Sequence, residues 1–243
     1  MKNSNLIKDN IDNLTALWKT VATPLLANYE NNPFEYIQIN NSGWPNRLWF
    51  RKDITAENLP QIREILEKNP NLIIPYWDIF GSNSKEIFEK NEFKIRIELV
   101  AMALKLGKKF PRQNNLIIKR VLNDEDATIW SNIYPLSFSY VISKEIVVHN
   151  YKNVKFYLVH FDGKPIGTLT LFQTGKTMGI HGVGVIPEMR KRGFAEEIMK
   201  FAINEAIDTG CEYAQLQASP WGKGIYTRLG FEDLFTITNY QLA

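Results

Sequence analysis

A single cysteine in 243 residues, Cys211, rules out an internal disulfide, and no Cys/His set has the spacing of a metal site. A reduced, metal-free interior is the expectation. No apolar run approaches the roughly 20 residues of a membrane span, and the opening "MKNSNLIKDNIDNL" lacks the unbroken apolar core of a signal peptide. The expected setting is cytoplasmic, with no membrane partner. Excess charge is equally scarce: 29 Lys+Arg against 26 Asp+Glu leaves +3, too little to argue for a nucleic-acid partner but enough for a local anion site. Apolar residues are plentiful, at 44% of the chain, enough to bury the core of one large domain or two small ones.

Glycine is unevenly spread. Only Gly43, Gly81 and Gly107 precede Pro111, and the other eleven of fourteen follow Leu116. Between them "KLGKKFPRQNN", Lys105 to Asn115, has the composition of an exposed linker. The domains are therefore placed at 1–112 and 113–243. In the second, "NDEDATIWSNIY" predicts a helix with Asn123 or Asp124 as N-cap. "VKFYLVHF" and "PIGTLTLF" predict a hairpin turning at Asp162-Gly163, and "MGIHGVGVI" a third antiparallel strand after a turn around Gly175. Ala195, Ile198, Met199, Ala202 and Ala206 then mark one helical stripe ending at Gly210. "YAQLQAS" follows as a strand parallel to the last, "KGIYTRL" as a short helix and "LFTITNYQL" as the final strand. The expected class is α/β (α+β), a mixed, largely antiparallel central sheet flanked by helices. The first half repeats part of this order: "NLPQIREILEK" and "SKEIFEKNEF" read as helices, "NLIIPYWDI" and "IRIELVAMAL" as strands.

The stretch "VIPEMRKRGFAEEIMK" carries the chemistry. A helix N-terminus has unpaired N–H groups and about half a positive charge, so Arg190, Lys191, Arg192 and Gly193 at its mouth suit a pyrophosphate. Here the sequence resembles the GNAT superfamily of acyl-CoA-dependent N-acyltransferases. That family's pyrophosphate loop reads Arg/Gln-x-x-Gly-x-Gly/Ala, filled here by Arg190, Gly193 and Ala195, with Phe194 between the last two. A second match is "ASPWGKGIYTRLGF", with Tyr226, Leu229, Gly230 and Phe231 in the family's closing pattern. The likeness covers about Leu116 to Leu242. The first half is similar to the degenerate half-domains of tandem members and has no glycine between Gly43 and Gly81, so a single CoA site is expected.

The resemblance implies acetyl-CoA as co-substrate, no metal, and transfer of its acetyl group to an amine of a small molecule or peptide by direct attack. It assigns the N–H and C=O groups of Val183 and Val185 to pantetheine and thioester, on a strand splayed from its parallel neighbour. It makes Tyr226 the acid that protonates the departing thiolate. The family's usual strand carboxylate is missing from "TMGIHGVGV", where His181 is the titratable group. Alternation puts His181 on the face of Val183 and Val185, and an ordinary pKa near 6.5 suits a base. Trp18, Trp44, Trp49 and Trp77 either wall an acceptor pocket or pack in the core, and Ser137 to Glu145 sits where family members vary the acceptor-side loop. A non-catalytic acyl-CoA-binding or sensing module is the alternative to an enzyme, as monomer or homodimer.

Overall fold

The computed structural model describes residues 2–31, 33–82, 84–113 and 115–243. The elements in chain order are α1 (Lys2–Ala22), β1 (Asn28–Asn31), β2 (Phe34–Ile37), β3 (Arg47–Phe50), α2 (Leu59–Lys68), β4 (Ile74–Trp77), α3 (Lys85–Glu89) and β5 (Phe93–Lys105). There follow β6 (Ile117–Arg120), α4 (Asp124–Ser137), α5 (Lys144–Asn150), β7 (Lys155–Phe161), β8 (Lys164–Thr174), β9 (Thr177–Val185), α6 (Phe194–Asp208), β10 (Tyr213–Ala218), α7 (Lys223–Arg228) and β11 (Glu232–Leu242).

Local chemistry sets several boundaries where the sequence predicts them. Asn123 caps α4, its Oδ1 accepting from the Asp126 N–H at 2.8 Å, and three acids follow in the first turn. Asp162 and Gly163 take φ of 50° and 72°, the positive angles a two-residue hairpin turn needs between β7 and β8. Along β7, Phe156 and Leu158 face one buried layer and Tyr157 and Val159 the other, because helices cover both faces of the sheet. One layer, α1 with α4 and α5, encloses Leu17, Trp18, Val21, Trp130 and Ile146. The other is α6, whose Ile198, Met199, Ala202, Ile203 and Ala206 pack on Leu169, Leu171, Met178 and Ile180.

The sheet has eight strands in the order β4-β11-β5-β10-β9-β8-β7-β6, and β9 with β10 is its parallel pair. β5, from the first half of the sequence, lies between two strands of the second: Tyr213–Ala218 of β10 pair with it along one edge and β11 along the other. β4 extends the sheet beyond β11. The division at residue 112 thus runs through one shared sheet. β1, β2 and β3 form a small antiparallel sheet that joins it where Arg47 bridges Ile73.

The stretch Lys105 to Asn115, expected as an exposed linker, keeps most side chains in solvent but is strapped along α6; Asn114 lies outside the described residues. The Phe110 N–H donates to Asn204 Oδ1 at 2.9 Å, Asn204 Nδ2 returns a bond to the Phe110 carbonyl at 3.0 Å, and the Leu116 N–H donates to the buried Glu197 at 3.1 Å. Because β5 supplies the ladder partners of both β10 and β11, a chain beginning at residue 113 leaves two long unpaired edges. Such a fragment should lack the cooperative thermal transition of the full chain, as followed by far-ultraviolet circular dichroism.

Candidate active site

β9 and β10 pair through Tyr213–Thr177, Ala214–Met178 and Gln215–Gly179, and there the ladder between them stops. β10 runs on to Ala218 against β5, and β9 to Val185 against β8. The two strands therefore open into a V, the splay expected from the resemblance. A cleft of about 1810 Å³ occupies it, lined by His181, Val183, Val185, Arg190, Lys191, Gly193, Phe194, Ala195 and Tyr226. Of the residues expected at the site, Arg192 alone is absent from that lining: its guanidinium stacks 4.6 Å from the Phe161 ring and 5.0 Å from that of Phe194.

The start of α6 is built as a cradle. Lys191 and Gly193 hold φ of 61° and 80°, which turns successive amides toward one side. Among the described residues, no hydrogen bond engages the N–H groups of Lys191, Arg192, Gly193, Phe194 or Ala195, and helical bonding begins with Glu196 and Glu197 donating to the Gly193 carbonyl. Nothing lies within 4 Å of where a Cβ on Gly193 would stand, so the glycine is required by its backbone angle rather than by crowding within the protein. Arg190 braces this turn. Its Nε donates to the Val185 carbonyl at 3.1 Å and its Nη2 to the Ser137 carbonyl at 3.3 Å. Arg190, Lys191 and Arg192 are all exposed and without an ion pair among the described residues, and Lys191 is the one of the three that no hydrogen bond or ring contact fixes.

His181 departs from its expected placement. Thr168 pairs with Gly184 and Thr170 with His181, so Gly182 and Val183 together oppose Leu169 in a β-bulge, with Gly182 at φ 57°. The bulge breaks the alternation. Ile180, Val183 and Val185 all pack toward α6, whereas His181 faces Asn13 of α1 on the opposite side. Asn13 donates through Nδ2 to the Phe172 carbonyl at 3.0 Å and to Thr174 Oγ1 at 2.9 Å, so its Oδ1 is the acceptor that meets His181 Nε2 at 3.4 Å. That contact puts the ring proton on Nε2 and the lone pair on Nδ1. Burial pulls the imidazole down to about 4, against a smaller opposing effect of Gln217. It is neutral at pH 7 and a weaker base than an ordinary histidine. Tyr226, across the cleft, is pushed up to about 12 by burial, so its hydroxyl stays protonated.

α1 was not legible as part of this site. Its buried face is Asn10, Asn13, Leu14, Leu17, Trp18 and Val21, a helical repeat in which two amides interrupt the apolar stripe. Those amides serve the open strands: Asn10 reaches the Met102 and Leu216 carbonyls at 3.5 Å and accepts from Gln217 Nε2 at 2.8 Å. The remaining wall comes from residues 137–142 and from residues 38–44. Trp18 and Trp44 line the cleft, while Trp18 also packs in the core, tilted against Trp49 at 5.5 Å and stacked on Trp77 at 6.2 Å.

Among the described residues no cluster of His, Cys, Asp or Glu could hold a metal ion, and no helix is long and apolar enough to cross a membrane. A splayed parallel pair therefore faces unbonded amides at a helix start across one cleft. The acetyltransferase (GNAT) family model matches residues 122–231, and the chain carries a domain of that family, whose members use acetyl-CoA. No curated protein matches the chain. Among solved structures it is similar to a GCN5-related N-acetyltransferase from Kribbella flavida, with 16% identity and a TM-score of 0.64 over 93% of this chain and 95% of that one. A GCN5-related N-acetyltransferase from Sphaerobacter thermophilus shares 14% identity at a TM-score of 0.62, covering 86% and 76%. The likeness thus extends over both halves of the fold.

Two outcomes follow from this geometry. Gly193→Ala forces a left-handed backbone on a residue with a Cβ, so unfolding free energy should fall by about 1 kcal/mol, and affinity for CoA by about tenfold as the loop relaxes; denaturant melts and calorimetry read the two. His181 has a folded value of about 4 against 6.5 when unfolded, so the unfolded chain binds more protons between those limits. Stability should fall as pH drops from about 6.5 to about 4, and in His181→Asn that part of the slope should disappear from melts taken across the same range.

Proposed function

We propose that this chain is an N-acetyltransferase that moves the acetyl group of acetyl-CoA to a primary amine of a small molecule or peptide, by direct attack while both substrates are bound. The observation that carries this reading is a single cleft that joins the amide cradle at Lys191 to Ala195, the opened β9–β10 edge, and the pair His181 and Tyr226. In this reading the chemistry belongs to residues 113–243, and residues 1–112, a degenerate companion without a cradle, supply β5 and the acceptor wall.

The free amides at 191–195 hold the diphosphate, assisted by Lys191, while Phe194 and Ala195 bound the cavity beside it. Arg190 and Arg192 act mainly by fixing the turn, through the Val185 carbonyl and the Phe161 and Phe194 rings respectively. Backbone groups at Val183 and Val185 orient the pantetheine and polarise the thioester carbonyl; one N–H aimed at the developing oxyanion is worth about 3 kcal/mol. The amine nitrogen attacks the carbonyl carbon and the C–S bond breaks, leaving an amide and the CoA thiol. Tyr226, protonated throughout the working range, donates toward the departing sulfur.

His181 at about 4 takes no proton from a free ammonium near 10. It acts instead on the much more acidic nitrogen of the tetrahedral adduct, accepting its proton at Nδ1. The amine must therefore arrive neutral. One reading competes: an acyl-CoA-binding or sensing module, favoured by that low basicity and by the lack of a carboxylate on β9.

Thiol release from acetyl-CoA in the presence of an amine panel separates the two, since a sensor binds without turnover. For the enzyme, kcat/KM should rise with pH through the ionisation of the amine and show no inflection near 6.5. Tyr226→Phe should lower kcat by about a hundredfold with KM for acetyl-CoA little changed; an unaltered kcat removes the tyrosine from the chemistry.

A further inference from the structure

The cleft continues past His181 into a second arm whose charge is one-sided. Arg47 and Arg96 line it from the first half of the chain, and among the described residues neither has a carboxylate partner. Their hydrogen bonds go to neutral groups: Arg47 Nη1 to the Asn46 carbonyl at 2.8 Å, Arg96 Nη1 to Gln241 Oε1 at 3.1 Å. The carboxylate of the cleft lining, Glu196, sits at the donor end and is already paired with Lys200 at 2.8 Å and Arg228 at 3.8 Å.

Both arginines are placed by irregular backbone. Arg47 opens β3 at the bridge to Ile73, where the small sheet meets the large one. Arg96 is the extra residue of a bulge in β5: Ile97 pairs with Asn239 and Ile95 with Tyr240, and Arg96 has no partner in β11. A bulge re-aims the side chain it releases. Burial pulls the half-buried Arg47 guanidinium below its ordinary range, and the like charge of Arg96 adds to that effect while Tyr140 opposes it. The half-buried Arg47, under the like charge of Arg96 and with no acid partner among the described residues, carries an electrostatic cost that a bound anion relieves.

The arm is continuous with the transfer point. The Tyr134 ring lies 3.3 Å from where a Cβ on Gly182, the neighbour of His181, would stand, and the Tyr134 and Tyr140 hydroxyls share a 2.7 Å hydrogen bond. Trp18, 3% exposed, also lines the cleft, and its indole N–H has no partner among the described residues. The charged groups along the arm are donors, as is the Trp18 indole, while Gln38 Oε1 is an unpartnered acceptor in the same lining.

We propose that the acceptor is a small amine bearing an anionic group, a carboxylate or a phosphate, which Arg47 and Arg96 receive in this arm. The inference deepens the acetyl-transfer reading and rests on it. Guanidinium groups match the paired oxygens of both anions. A neutral amine leaves the two cations uncompensated, and a polyamine adds charge of the same sign, so the arm selects by repulsion as well as by attraction.

The test is calorimetric titration of the full chain saturated with CoA, which fills the cradle and keeps anionic probes out of it. The probes are matched sets: L-amino acids with their amides and their decarboxylated amines, and O-phosphoethanolamine with ethanolamine. The anionic member of at least one set should bind at least tenfold more tightly, and the set that shows the difference distinguishes carboxylate from phosphate. Arg47→Gln and Arg96→Gln should each weaken that member by at least tenfold and leave CoA affinity within twofold. Arg96 is exposed, so its variant keeps the test intact if loss of Arg47 impairs folding. Equal or tighter binding of the neutral members, a preference that survives Arg96→Gln, or no binding by any probe overturns the proposal. These readouts need no turnover, so absence of acetyl transfer in the thiol-release assay counts against the transferase reading separately.

Discussion

Three residue pairs hold β9 parallel to β10, and beyond Gln215–Gly179 the strands diverge. An opened sheet carries backbone N–H and C=O groups without ladder partners, a state with a substantial desolvation cost unless something else meets them. The fold handles the two sides of the opening differently. Toward α1, Asn10, Asn13 and Gln217 knit the strands together with side-chain amides. Toward α6, the gap meets the unbonded amides of 191–195 and becomes a place for a ligand.

The same opening draws on both halves of the sequence. A V between β9 and β10 needs a rigid far wall, and β5 gives β10 a full six-residue ladder on its other edge. β11, which follows the short helix carrying Tyr226, is then held by β5 and β4 together. α1 covers the V from the first half, and the lysine and arginine pair Lys19 and Arg51 on the buried Glu35 ties the small sheet beneath it. Arg47 and Arg96 are positioned by the contacts that hold the sheet itself.

Much of this was readable from local chemistry. The Asn123 cap, the Asp162-Gly163 turn, the α6 stripe and the Arg190-to-Ala195 loop each depend on neighbours a few residues away, and each stands where the pattern places it. The failures have a common physical origin in distant partners. α1 was hidden because Asn10 and Asn13 occupy its apolar stripe, and their purpose is visible only beside β10 and β8. The insertion of β5 between β10 and β11 joins residues more than a hundred positions apart. His181 was put on the wrong face because one inserted residue in β9 flips alternation, and "GIHGVG" offers several glycines at which that could happen. Arg96 escaped notice for a similar reason, since the bulge in β5 is a matter of register with β11.

The central claim is that the free amides opening α6 grip the diphosphate of an acyl-CoA and so set its thioester at the mouth of the V. Amide chemical-shift mapping of the isotopically labelled chain during titration with CoA tests it most directly. The account predicts saturable shifts largest at the N–H groups of Lys191, Gly193, Phe194 and Ala195, with smaller ones at Val183 and Val185. Shifts confined to other surfaces, or none at CoA concentrations that saturate related folds, contradict it.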